Sequence, residues 1–303
     1  MIIDVPVAYP SLPTDDGLLD AELKKLGFEN LDPTIHYSLH ISTAALEKQG
    51  KTHFAFGLPG PIGVITTDTG TEEVAKKFMA QKRIIVRSFK SAKKLFEEVD
   101  KLGLKNDAIV KEKRQEYAEA EWQRMKGSIL AIIRHAKFRG LIIDTATEVW
   151  ELCRAAAFGK LTQVMPQHYN EVNNEFKELV KSAYESPALS SVWINKKGKE
   201  YKTGSTGKDS WTGRYERKGF GDMPFLVDVN LEHYFKAAQE PETGMSEEDI
   251  KALKPARFGI QVLDSRYEML QLVGQRFEGD MCSFKCVAEN CFPQTYGIRG
   301  IWD

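Results

Sequence analysis

Short apolar runs that end in polar residues recur along the chain and predict strands. Three of them end in Asp68, Asp144 and Asn195. Uninterrupted apolar runs of this length are typical of buried strands in a parallel sheet, since half-buried strands alternate apolar and polar residues. Together with an earlier run, the candidates are YSLHIST (37–43), GVITTD (63–68), GLIID (140–144) and SSVWIN (190–195).

Segments with apolar residues at helical spacing lie between these strands. The whole stretch from Val74 to Arg139 has a charged, helical pattern. Helices are predicted within this stretch and on either side of it, over 18–28, 91–104, about 107–137 and 167–184. Beyond Asn195, a Gly- and Lys-rich stretch leads into strand candidates at 224–235, 257–264 and 267–274.

This order of elements predicts an α/β fold. Alternating strands and helices build a mainly parallel sheet flanked by helices, and the later β-rich sequence adds antiparallel strands at the C-terminal side. Residues 1–34, rich in Pro, Asp and Leu, are predicted to form an N-terminal extension. Residues 35–303 are predicted to form the core together with its C-terminal β segments.

Composition indicates a globular protein, and the balanced net charge means that any basic binding site must be a local cluster of residues. The 303 residues are 42% hydrophobic and 28% charged, which excludes a disordered chain and a small disulfide-stapled module. The formal net charge of −1 excludes a global field that attracts nucleic acid. The first residues lack the pattern of a signal peptide, no apolar run is long enough to span a bilayer, and four Cys suit a reducing compartment. We therefore expect a cytoplasmic protein without a membrane partner.

The string ALEKQGKT at 45–52 is similar to a phosphate-binding loop. Such a loop has the pattern G-x-x-x-x-G-K-[ST] between a strand and a helix, and its backbone N–H groups surround phosphate oxygens. Lys51 would contact the β- and γ-phosphates, and the Thr52 hydroxyl would bind Mg²⁺. Ala45 replaces the leading glycine, and charged residues occupy positions 47 and 48, where small ones are usual. The string is therefore also consistent with a solvated loop.

Carboxylates after two predicted strands favour the nucleotide-binding interpretation. Asp144 ends LIID, where P-loop enzymes place the acid that orders the Mg²⁺ shell; its alternative role is a helix cap. Asp68 ends GVITTD and is followed by Glu72 and Glu73, and a carboxylate at this strand end could orient an attacking water. The alternative for these acids is a place in the first turn of a helix.

Four segments together resemble phage-encoded, RecA-like P-loop nucleotide-binding proteins, a family that includes single-strand-annealing recombination proteins. The segments are GKTHFAFGLPGPIGVITTDTGTE (50–72), GLIIDTATEVWELCR (140–154), TGRYERKGFGDMPFLVDVNL (212–231) and FGIQVLDSRYEMLQLVG (258–274). The likeness covers roughly residues 35–275, with the middle helical stretch unassigned. It implies a RecA-like core that binds ATP and Mg²⁺, acts on single-stranded DNA, forms homo-oligomers and is located in the bacterial host cytoplasm.

Site residues follow from the motifs and the resemblance together. Those expected to bind nucleotide are Gly50, Lys51, Thr52 and His53, although His53 also suits a packing role. Thr52 and Asp144 are expected at the metal, and Glu72 or Glu73 is expected to be the water-positioning base of an ATPase. The rival interpretation is a non-catalytic structural or interaction protein that keeps a degenerate P-loop fold, and the altered loop at 44–49 is its supporting feature.

Residues 196–218 combine basic side chains, aromatic side chains and glycines. Basic residues neutralise phosphates and aromatic rings stack on bases, as binding of single-stranded DNA requires. The expected DNA-binding residues are Lys196, Lys197, Lys199, Tyr201, Lys202, Trp211 and Arg214. The alternative is a solvated hairpin.

Three cysteines close to the C-terminus have spacings near those of metal ligands. Cys282, Cys286 and Cys291 lack a fourth ligand nearby in the sequence, because the last histidine is His233. Small buried residues are therefore favoured over a zinc site.

Overall fold

A twisted sheet with helices on both faces forms the body of the protein. The structure is a computed structural model that describes residues 38–160, 168–186, 188–203, 209–239, 255–266 and 272–293. In these ranges the strands are β1 His40–Ala45, β2 Ile62–Thr66, β3 Ile84–Ser88, β4 Gly140–Asp144, β5 Ser190–Thr203, β6 Asp209–Arg217, β7 Val229–Lys236, β8 Arg257–Ser265 and β9 Arg276–Glu278. The helices are α1 Lys51–Ala55, α2 Thr71–Lys76, α3 Ala92–Asp100, α4 Asp107–Arg134, α5 Ala146–Phe158, α6 Tyr169–Lys181 and α7 Phe284–Cys291.

Strand β5 lies between β1, which leads into the string ALEKQGKT, and β4, which ends in Asp144. The order is β3-β2-β4-β5-β1-β7-β8-β9, and β6 pairs with β5 outside this path. The strands from β3 to β7 pair in parallel, whereas β7–β8, β8–β9 and β5–β6 pair antiparallel. The predicted α/β fold, a mainly parallel sheet flanked by helices with antiparallel strands on its C-terminal side, is confirmed.

Two apolar clusters cover the two faces of the sheet. One joins α3, α4, α5 and α6 to a sheet face that includes Trp193, which is fully buried. The other packs α1 and α7 on the opposite face, around Phe54 and Phe284. Every residue of β1, β2 and β4 is buried. Burial of both faces explains the apolar runs of β2 and β4, whereas β1 also buries the polar side chains of His40, Ser42 and Thr43.

Most predicted elements agree with the structure, and three differences have local causes. The stretch 74–139 is not helical throughout, because Ile84–Ser88 forms the edge strand β3, whose alternating burial differs from that of the central strands. The Gly- and Lys-rich stretch after Asn195 contains the paired strands β5 and β6. Helix α7, which begins at Phe284 with the Ser283 hydroxyl as its N-cap, was not predicted.

Several predictions fall on residues that the structure does not describe. The N-terminal extension 1–34, the helix 18–28 and most of the strand candidate 267–274 lie outside the described residues. In the part of this last candidate that is described, Leu272–Gly274 form no strand.

Candidate nucleotide-binding site

The strand ends that carry the predicted motifs meet at one edge of the sheet. Strands β1, β2, β4 and β5 are mutually parallel through their pairings, so their C-terminal ends lie together. Thr66 pairs with Asp144, and Ala45 pairs with Lys196. The fold therefore places the loop 46–50 beside the ends of the strands that lead to Asp68 and Asp144.

The loop 46–50 turns sharply into α1 and is closed by Lys51. Gly50 has a φ of +84°, a left-handed conformation that favours glycine at this position. The Lys51 ammonium donates to the carbonyl oxygen of Leu46 at 2.6 Å and to that of Ala45 at 3.3 Å. Burial lowers the pKa of Lys51, an effect that Asp144, Glu47 and Asp68 oppose. The Lys51 ammonium thus binds the carbonyl oxygens at the start of the loop and lies within reach of the charges of nearby acids.

A hydroxyl network holds Asp144 between the loop and β2. The Thr52 hydroxyl donates to Asp144 Oδ2 at 2.9 Å, and the Thr71 hydroxyl donates to the same oxygen at 2.8 Å. Thr66 in turn donates to the Thr71 hydroxyl at 2.9 Å. Burial raises the pKa of Asp144, and the hydrogen bonds from Thr71 and Thr52 oppose that rise. Thr71 was not among the predicted site residues, because nothing in its local sequence indicates a contact with a residue 73 positions away.

A hydroxyl and a carboxylate in this arrangement fit Mg²⁺, which prefers oxygen ligands. Thr52 and Asp144 are predicted to hold the ion or its bound waters, and their side chains are in direct contact. Lys51 adds the positive charge that phosphates require. The residues present therefore fit a nucleotide with its magnesium ion.

Asp68, the first of the acids after β2, acts on this network through its charge. Asp68 is exposed, and its negative charge raises the pKa of Asp144 and opposes the lowered pKa of Lys51. The predicted catalytic residues have other partners. Glu72 accepts a hydrogen bond from the Ser88 hydroxyl at 2.8 Å, and Glu73 forms an exposed ion pair with Lys76 at 2.6 Å.

An exposed aromatic pair lies on the other side of the loop, on β7 and β8. The rings of Phe235 and Phe258 are 5.2 Å apart and remain 47% and 43% exposed. A methyl group built on Gly50 would lie 3.3 Å from Phe258 Cδ1, so this ring packs directly on the loop. The sequence does not reveal this pair, since the alternation of β8 alone does not show which strand lies next to it. His53, predicted to bind nucleotide, is exposed and its ring contacts Phe78.

The predicted DNA-binding residues lie on the β5–β6 hairpin and fall into two groups. Near its base, Lys196 forms an ion pair with Glu148, and Lys197 forms one with Glu232 at 2.6 Å. Farther out, the predicted residues Lys199, Tyr201, Lys202, Trp211 and Arg214 are exposed, and so is Tyr215 beside them.

The outer part of the hairpin presents aromatic rings to solvent. Tyr201 pairs with Trp211 across the strands, and the two side chains are 54% and 50% exposed. The Lys199 ammonium lies 5.1 Å from the centre of the Trp211 ring, and Tyr215 contacts the same ring edge-on. A cation placed on an exposed aromatic ring suits a ligand that is both charged and planar.

Cys282, Cys286 and Cys291 are free cysteines, and Cys291 is buried. Burial raises the pKa of Cys282 to about 11 and that of Cys291 to about 12. No group of three His, Cys, Asp or Glu side chains in the described ranges could hold a metal ion. Nor does any helix in those ranges combine the length and apolar character that crossing a bilayer requires.

Comparisons with known proteins place the chain in a family. No curated protein matches it. The solved structure of the RadB recombinase is similar to this chain, with 11% identity, a TM-score of 0.42 and coverage of 85% of this chain and 91% of that one. The structure of an ATPase from the type III secretion system of pathogenic bacteria is also similar, with 10% identity, a TM-score of 0.36 and coverage of 72% of this chain and 56% of that one. A family profile described as "AAA domain" matches residues 42–257, a range that contains the loop, Asp68, Asp144 and the hairpin. The chain belongs to this AAA domain family.

Proposed function

We propose that the protein binds ATP with Mg²⁺ at the loop 46–50 and the first residues of α1, and that it hydrolyses ATP while acting on single-stranded DNA. The observation that carries the proposal is the contact of Thr52 with Asp144 at 2.9 Å, beside a lysine that closes the loop. A P-loop nucleotide site needs a hydroxyl, a carboxylate and an ammonium group in this relation. This contact supports the proposal although residues 45–48 depart from the usual loop pattern.

Each residue of the site then has a separate task. Lys51 would leave the loop carbonyls and bind the β- and γ-phosphates, while Thr52 and Asp144 would hold Mg²⁺ and its waters. The bound ion would neutralise charge on the phosphates. Because Asp144 and Asp68 lie toward β4 and β2, the terminal phosphate would point to that side. The base would then point to β7 and β8, where Phe235 and Phe258 offer a surface on which it stacks.

The water-positioning base is proposed to be Asp68, with Glu72 and Glu73 as alternatives. Asp68 follows the strand paired with β4, and its charge acts on both Lys51 and Asp144. An exposed carboxylate near the terminal phosphate can accept the proton of an attacking water. Glu72 and Glu73 are bound to Ser88 and Lys76 instead.

Single-stranded DNA is proposed to bind on the outer hairpin. Exposed aromatic rings beside exposed cations support this surface, since stacking and phosphate neutralisation act together in binding single strands. The resemblance to phage-encoded recombination proteins favours a role in recombination or replication as a homo-oligomer.

The proposal is tested by steady-state ATP hydrolysis with and without single-stranded DNA. We expect measurable hydrolysis that DNA stimulates. Asp68→Asn should lower kcat by about 10²-fold or more, as loss of a general base does, and leave ATP affinity nearly unchanged. Glu72→Gln and Glu73→Gln are the matched controls and should retain most of the rate. ATP binding without hydrolysis in the presence of DNA would favour the rival, a non-catalytic interaction protein.

A further inference from the structure

Lys196 lies where the nucleotide site and the hairpin meet. Strand β5 runs between β1 and β4, and Lys196 pairs in register with Ala45, the last residue before the loop 46–50. Two residues earlier on β5, Ile194 pairs with Asp144. The Lys196 side chain therefore starts between the loop closed by Lys51 and the strand that ends in Asp144.

The ammonium group of Lys196 is held by an acid at the start of α5. Its Nζ donates to Glu148, whose side chain is 20% exposed while that of Lys196 is 48% exposed. Glu148 is the partner of the Lys196 ammonium in the described residues, and about half of the Lys196 side chain remains exposed beside it.

Lys196 is also close enough to the proposed phosphate site to act on it electrostatically. Among the charges that alter the pKa of Lys51, that of Lys196 lowers it further, in the same direction as burial. Burial opposes the charge of Lys196 itself, but its bond to Glu148 raises the pKa, and Glu151 and Asp68 add to that rise. A charged lysine thus lies within electrostatic reach of both Lys51 and Asp68.

A triphosphate on Lys51 would bring several negative charges close to Ala45, whose carbonyl oxygen lies 3.3 Å from the Lys51 ammonium and whose backbone pairs with Lys196. Lysine binds phosphate as a flexible point charge, and charge-assisted bonds to phosphate are stronger than those between neutral groups. The phosphate and Glu148 would then compete for one ammonium group.

We propose that Lys196 binds the terminal phosphate of a nucleoside triphosphate and that Glu148 holds it when that phosphate is absent. This assignment rests on the proposed function, since it requires a triphosphate on Lys51. It makes Lys196 a residue that distinguishes triphosphate from diphosphate, and it moves Lys196 from the predicted DNA surface to the nucleotide site.

The test measures the affinities of ATP and ADP, each with Mg²⁺, by equilibrium titration of the full chain. Lys196→Met should lower ATP affinity by about tenfold or more, because it removes a charged hydrogen bond to phosphate, and change ADP affinity by less than about twofold. Glu148→Gln should have the opposite effect and raise ATP affinity about two- to fivefold, because it frees Lys196 from a partly exposed pair. Lys196→Arg keeps the charge and should retain most of the preference for ATP.

Lys218→Met is the matched control. Lys218 lies at the same end of the hairpin, its backbone N–H donates to the Lys196 carbonyl at 2.8 Å, and its side chain pairs with Glu216. Its replacement should leave both affinities unchanged, and thermal unfolding checks that each variant is folded. Equal losses of ATP and ADP affinity in Lys196→Met, or a loss of ATP affinity in Glu148→Gln, would overturn the assignment while leaving the proposed function intact. A wild-type chain that binds neither nucleotide would overturn both.

Discussion

At the residue scale, the hydroxyl groups around Asp144 explain how a buried carboxylate remains available to a cation. Burial alone favours the neutral acid and raises the pKa of Asp144. Thr52 and Thr71 both donate to its Oδ2 and oppose that rise. The second residue of α1 and the first residue of α2 therefore both favour the charged form of Asp144 against the effect of burial.

Also at the residue scale, the buried His233 makes the stability of the fold depend on pH. It is fully buried next to Phe54, and burial, assisted by the charge of Lys51, lowers its pKa from 6.5 to about 3. The folded chain keeps His233 neutral while the unfolded chain binds a proton below pH 6.5, so its contribution to stability is present above 6.5 and is lost as the pH falls toward 3.

His233→Phe removes this proton uptake and suits the apolar surroundings. The free energy of unfolding should then fall less between pH 7 and pH 5, by about 2 kcal/mol, than it does in the wild type. Denaturant unfolding at the two pH values measures the difference. An identical pH dependence in both proteins would show that His233 is not held neutral in the fold.

At the element scale, substitutions in the β5–β6 hairpin distinguish the ionic contribution to DNA binding from the stacking contribution. Lys199→Ala should reduce the slope of log affinity against log salt by about 0.7, because one single-strand phosphate contact is lost. Trp211→Ala should weaken binding by about 1–3 kcal/mol with little change in slope, since stacking is not ionic. Titrations of a labelled oligonucleotide at several salt concentrations measure both quantities. If both variants bind as the wild type does, the hairpin is a solvated surface without a role in DNA binding.

A second prediction at the element scale concerns Phe258 on β8, whose exposed ring packs on Gly50 and is proposed to stack on the base of ATP. Phe258→Ala should weaken ATP binding by about 1–3 kcal/mol, the usual contribution of a ring that stacks on a base. Inorganic triphosphate has no base, so its affinity should stay the same. Phe225, which is 76% exposed, provides the control substitution to Ala. A parallel loss for ATP and triphosphate would instead indicate that Phe258 only supports the loop.

At the scale of the whole molecule, the sequence predicts the order of layers better than the contacts of the site. Buried central strands such as β4 can be recognised in the sequence. Both of their faces are covered, so every residue is apolar or caps the strand. The edge strand β3 was missed, since its Arg87 and Ser88 are exposed and the segments on either side of it have helical patterns.

The site itself was predicted only where a local motif marks it. Lys51, Thr52 and Asp144 follow from motif and strand ends, whereas Thr71 and Phe258 reach the loop through tertiary packing that no spacing encodes. Lys196 and Lys197 were counted as free basic charges, because the sequence does not show that Glu148 and Glu232 pair with them. Local patterns thus locate strand ends, and the pairing of distant charges requires the fold.

The central claim is that Lys51, Thr52 and Asp144 form one magnesium–nucleotide site, and an ATP titration with and without Mg²⁺ tests it most directly. The wild type should bind ATP more tightly with Mg²⁺ than in EDTA. Lys51→Ala should abolish binding in both conditions and remain folded, because its ammonium bonds only loop carbonyls in the described residues. Asp144→Asn should lose affinity mainly when Mg²⁺ is present, since its charge acts through the ion. Equal ATP affinity in wild type and Lys51→Ala, or a loss in Asp144→Asn that is the same size in EDTA, would contradict the account.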